Sequence, residues 1–66
     1  MKKIHGFGDL RENQILVDKN SGERFKIRHT EQVAGEVLIY LSQIGKGGSF
    51  PVLFGELQST YRIEEK

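Results

Sequence analysis

The chain has 66 residues, a formal charge of +1 and no cysteine, so it offers one domain at most, no disulfide framework and no thiolate metal site. A balance this close to neutral falls short of a dedicated, strongly basic nucleic-acid binder. Leu, Ile, Val and Phe make up about 30% of it, above the roughly 20% below which chains tend to stay disordered, so it is expected to fold.

In chain order, the opening MKKIHGFGDLR has no apolar core of a signal peptide, and the longest apolar run, residues 37–41, is too short to cross a membrane; a cytoplasmic protein without membrane partners is expected. QILVDKNSGERFKIR reads as a β-hairpin, apolar and polar residues alternating on both sides of Asn20-Ser21-Gly22. A three-residue loop with Gly22 in the left-handed conformation sets Lys19 against Glu23, Asp18 against Arg24, Val17 against Phe25 and Ile15 against Ile27. Leu16 then falls on the outward face with Lys26.

Residues 31–44 admit two readings. As a helix, Thr30 caps the start, Val33, Ala34, Val37, Leu38, Leu41 and Ile44 form one stripe, and Gly45 ends it. Against that stand Gly35 in the interior and the β-branched Val33, Val37, Ile39 and Ile44, which favour a strand over 36–42 ended by the Gly45-Lys46-Gly47-Gly48-Ser49 loop. A strand at 50–54 follows, with Pro51 at its start or on a sheet edge, because proline donates nothing to a ladder. Periodicity leaves the two readings nearly level.

Arg28-His29-Thr30-Glu31, then Val37-Leu38-Ile39-Tyr40, Ile44-Gly45, Gly47-Gly48 and the aromatics Phe50 and Phe54, resemble a family of small, functionally uncharacterised bacterial proteins. That family carries an Arg-His-Ser-Glu stretch, a Val-Val-Tyr strand, a Gly-rich loop and a Trp-Val-Arg-Pro strand. The resemblance spans residues 24–54 and implies a small all-β, single-domain, SH3-like antiparallel barrel. It implies strands near residues 3–7, 36–42, 50–54 and 61–64, a polar loop at 30–35, and a helical turn at 57–61. The alternative is an α+β fold with one helix at 31–44 packed on an antiparallel sheet. Phe50-Pro51-Val52-Leu53 lacks the arginine of the family's Arg-Pro, so no anion-binding role carries over to that strand.

Two surfaces are candidates for function. If the barrel buries one face, Leu16, Leu38, Tyr40 and Leu53 meet outside as an apolar patch for another protein or a second copy, as in an accessory subunit or inhibitor. Alternatively, Lys26, Arg28, Lys46 and Arg62, with Lys2 and Lys3, bind nucleic acid weakly through phosphates. Enzyme chemistry is not expected. Thr30 cannot work with His29 and Glu31, since neighbours on a strand point to opposite sides, and a domain this small has little room for a water-excluding pocket of about 300 Å³. No cofactor or metal is expected: GKGGS lacks the spacing of a phosphate-binding loop, and His5 and His29 have no companion at ligand spacing.

Overall fold

The computed structural model describes residues 2–65 and is mostly antiparallel sheet with one short helix. Strands β1 (Ile15–Asp18), β2 (Arg24–Val33), β3 (Glu36–Gln43), β4 (Phe50–Leu53) and β5 (Tyr61–Ile63) lie in the order β4-β3-β2-β1-β5, and α1 (Phe54–Thr60) links the two edge strands. No described ladder joins β4 to β5, so the sheet is open.

The helix alternative at 31–44 is overturned: these residues are the end of β2, a turn, and β3. Ala34 and Gly35 carry φ of 50° and 80°, the left-handed pair that a two-residue hairpin turn needs. Glycine adopts it freely, while Ala34 takes on a local strain of about 1–2 kcal/mol that the ladder from Phe25–Gln43 to Val33–Glu36 offsets. The expected polar loop at 30–35 thus shrinks to two residues. Distal to Arg28, both faces of β2 are exposed.

The β1–β2 register is corrected by one residue. Leu16 pairs with Phe25 and Val17 with Arg24. The loop has four residues, because the Asp18 carboxylate accepts the amides of Asn20 (2.8 Å) and Ser21 (3.2 Å), and the Lys19 amide leaves the hairpin to donate to the Thr60 carbonyl at 3.0 Å. Gly22 keeps the expected positive φ. Since side chains alternate with period two, this single step turns Leu16 from the outer face to the interior, where it is fully buried. Arg24 is paired not with Asp18 but with Glu64, through two 2.8 Å bonds, and this pairing holds the guanidinium above its ordinary pKa.

One face of the sheet carries the core: Leu16, Phe25, Ile27, Ile39, Leu41, Val52, Tyr61 and Ile63, closed by Ile4 and by Leu57 of α1. Phe25 meets Phe50 and Tyr61 edge to face, with centroids 5.8 and 5.4 Å apart. The helical turn expected at 57–61 is a seven-residue helix that begins at Phe54, so the strand expected through 54 stops at Leu53. The strand expected at 3–7 is absent. Lys2 makes an isolated bridge to Ile63, and the chain then folds into a 3-10 turn, Phe7–Asp9. The Asp9 carboxylate accepts the His5 amide at 2.9 Å, which holds its pKa below 3.8.

Burial, reinforced by the carboxylates of Asp18, Glu56 and Glu23, raises the Tyr61 phenol above its ordinary 10.0. The unfolded chain therefore ionises first, so this contribution is complete below pH 10.0 and lost as pH rises through the folded value. Tyr61→Phe is expected to flatten the alkaline decline in urea midpoint.

Candidate functional site

β2 does not alternate regularly to its end. The pairing steps from Ile27–Leu41 to His29–Tyr40, so Arg28 is an extra residue, a bulge. Were Arg28 paired in a regular ladder, His29 would follow Phe25 and Ile27 inward; because Arg28 is bulged, His29 joins Lys26 on the outer face. That face reads across the strands as rows: Arg62, Val17 and Arg24; Ile15, Lys26 and Ser42; His29, Tyr40 and Pro51; Glu31, Leu38 and Leu53.

The bulge and the β3–β4 loop enclose a cleft of about 260 Å³, lined by Lys26, Arg28, Ser42, Gln43, Ile44, Gly45 and Lys46. Lys26 stands on the sheet, Arg28 on the bulge, and Lys46 on the loop. Local bonds shape that loop: the Lys46 amide donates to the Gln43 carbonyl at 3.1 Å, and the Ser42 hydroxyl to the Gly48 carbonyl at 2.8 Å. No carboxylate lines the cleft, and no described residue forms an ion pair with any of the three cations. Glu23, the carboxylate tied to this rim, accepts a hydrogen bond from Gln43. Like charges gathered this way repel weakly in water, by about 1 kcal/mol or less per pair, and a bound anion reverses the sign.

Beside the cleft, the His29 and Tyr40 rings stack at 4.3 Å with an interplanar angle of 11°. His29 is exposed and Tyr40 half-buried. The polar run at 28–31 is divided: Arg28 on the bulge, His29 and Glu31 on the outer face, Thr30 opposite Ile39 on the other.

The remaining candidates scatter. Arg62 donates to the carbonyls of Gln58 (3.1 Å) and Tyr61 (2.8 Å) at the end of α1, away from the cleft. Lys2 and Lys3 lie beside β5 and α1. Leu16 is removed from the apolar patch by its burial in the core. Leu38 lies opposite Leu53, and Tyr40 opposite Pro51, on the outer face. Leu38 and Tyr40 are half-buried, and Leu53 is 42% exposed. Leu53 also borders an apolar groove with Val37 and Phe54, rimmed by Glu36 and Glu56. Among the described residues no three His, Asp or Glu side chains are placed to hold a metal, and no helix is long and apolar enough to cross a membrane.

Neither the His29–Tyr40 stack nor the part of Ser42 and Gln43 in shaping the cleft is among the expectations from sequence. The stack had one visible sign: after Ile27 the run at 28–31 carries no apolar residue to continue the alternation. No protein-family model, curated protein or solved structure matches the chain.

Deleting Arg28 makes the ladder regular without changing a pair, since Ile27–Leu41 and His29–Tyr40 become consecutive. The deletion variant is therefore expected to fold and to keep contacts between the two rings in NOE spectra while losing one cleft cation. Loss of those contacts would mean that the bulge itself holds the stack.

Proposed function

We propose that the chain is a small non-enzymatic binding module that takes a phosphate-bearing polymer, nucleic acid, in the cleft of Lys26, Arg28 and Lys46. One observation carries this reading: three cations from a strand, a bulge and a loop line one cleft, and among the described residues no carboxylate lines it or forms an ion pair with them. The apolar patch read from sequence loses Leu16, while three of the four basic candidates come together. Electrostatics of this kind gives affinity without sequence discrimination.

We further read the fold as an SH3-like barrel in outline. Phe25, on the middle strand, touches Phe50 of one edge strand and Tyr61 of the other, a contact that favours a strongly curled sheet. The resemblance to small bacterial barrels points the same way.

The test is salt dependence. If three phosphates are neutralised, log affinity against log salt is expected to fall with a slope of about −2 to −3, a loss of roughly 20- to 50-fold between about 50 and 200 mM salt. The Lys26→Glu, Arg28→Glu, Lys46→Glu triple variant is expected to lose retention on immobilised oligonucleotide. Absence of retention by the wild type at low salt would end the proposal.

A second reading, a protein partner or self-association, is favoured by Leu53, exposed on an edge strand beside the acid-rimmed groove. Its occupant would be an apolar segment flanked by Lys or Arg. If that occupant is a second copy, sedimentation velocity should show concentration-dependent association that Leu53→Ser abolishes.

A further inference from the structure

We infer that the His29–Tyr40 pair is a base-stacking platform, and hence that the preferred polymer is single-stranded. The inference rests on the phosphate-binding reading of the adjacent cleft and names the form of nucleic acid that the site takes.

Position supplies the first argument. Tyr40 and the cleft-lining Ser42 are two residues apart on β3, and His29 and Lys26 are their partners on β2. Two residues along a strand span about 7 Å, so a phosphate in the cleft leaves its neighbouring base within reach of the rings. The bulging of Arg28 makes this possible in the chain as it stands, because a paired Arg28 would turn His29 away from the face that Lys26 occupies.

Exposure supplies the second. Tyr40 is flanked in its row by His29 on one side and Pro51 on the other, which leaves the outer face of the imidazole as the open end of the stack. The β1 ladder stops at Lys26 and its last link to β2 is the Asn13 amide on the Ile27 carbonyl. No described strand therefore runs beside His29 on that side. Every base presents a π-face, so stacking of this sort is tolerant of sequence, and a paired duplex offers no such face except at its ends. Glu31, next on the same face beyond His29, repels phosphate and directs the strand toward Lys26 rather than toward the hairpin tip.

The experiment compares three labelled probes by fluorescence anisotropy at low salt: a ten-nucleotide oligothymidine, an abasic sugar-phosphate oligomer of the same length, and inorganic polyphosphate. The oligothymidine is expected to bind about tenfold or more tightly than the other two, the range for one stacked base. His29→Ala should remove that advantage while leaving the abasic oligomer and polyphosphate unchanged, and Lys46→Glu should weaken all three. His29 is exposed, and an unchanged circular dichroism spectrum will show that the His29→Ala variant is folded. Equal affinity for the three probes, or a uniform effect of His29→Ala, overturns the platform and leaves the phosphate site standing. Binding of none of them removes the phosphate site, and the platform with it.

Discussion

Leu16→Ala is expected to destabilise the protein by about 2–5 kcal/mol, whereas Leu53→Ala should stay within about 0.5 kcal/mol of wild type. The two leucines were equivalent as outward residues in the sequence reading, and the structure separates them. Leu16 is fully buried, opposite Phe25 on one side and Ile63 on the other; Leu53 is 42% exposed on an edge strand. Truncating Leu16 leaves a cavity where two ladders meet and where the surrounding strands have little freedom to collapse. A domain of this size has limited stability to lose, so much of the Leu16→Ala population should be unfolded at room temperature. Urea denaturation of both variants reads the difference directly. Equal midpoints would place Leu16 outside and restore the three-residue hairpin loop.

A second large effect is expected at Phe25. Phe25→Ala should cost about 3–5 kcal/mol, because the ring is buried on the middle strand and meets Phe50 and Tyr61 edge to face. Aromatic pairs of this geometry contribute about 0.5–1.5 kcal/mol beyond the area they bury. Phe25→Leu keeps much of the volume and removes both ring pairs, so it should fold, with a smaller loss and with shifted ring resonances for Phe50 and Tyr61 together. A double-mutant cycle with Phe50→Leu measures one pair alone. A coupling near zero would mean that β4 is held to the body by its ladder to β3 and not by the rings, and would weaken the case for a curled sheet.

Much of the fold is legible in local chemistry. The β1–β2 hairpin follows from alternation and a glycine-ended turn, the strands expected at 36–42 and 50–54 and found at 36–43 and 50–53 from β-branched and aromatic runs, and the position of Pro51 from its missing donor. What local chemistry leaves level is the choice between helix and strand at 31–44. Ala34-Gly35 can be the interior of one or the turn of the other, and the paired strand, with its eight cross-strand partners, decides it.

The candidate site is legible only as residue types. Lys26 and Arg28 stand out as cations on a strand, and Lys46 as a cation in a glycine-rich loop, but nothing in their spacing puts them around one cleft. Arg62 looks the same in sequence and ends elsewhere, its guanidinium taken by the carbonyls at the end of α1. The His29–Tyr40 stack depends on Arg28 being bulged rather than paired, since a paired Arg28 would reverse the parity of everything after it.

By itself, then, the sequence determined the class of the chain: rich in strands, nearly neutral and without cysteine, because composition and period-two patterning act within a few neighbouring residues. The tertiary structure decided which face each side chain takes. A strand reverses its two faces with a shift of one residue, and two such shifts matter here. In the first, the Asp18 carboxylate holds the Asn20 and Ser21 amides while the Lys19 amide bonds to the Thr60 carbonyl; in the second, Arg28 is bulged from the β2–β3 ladder. Leu16 went inward by the first, and His29 came outward beside the cations by the second.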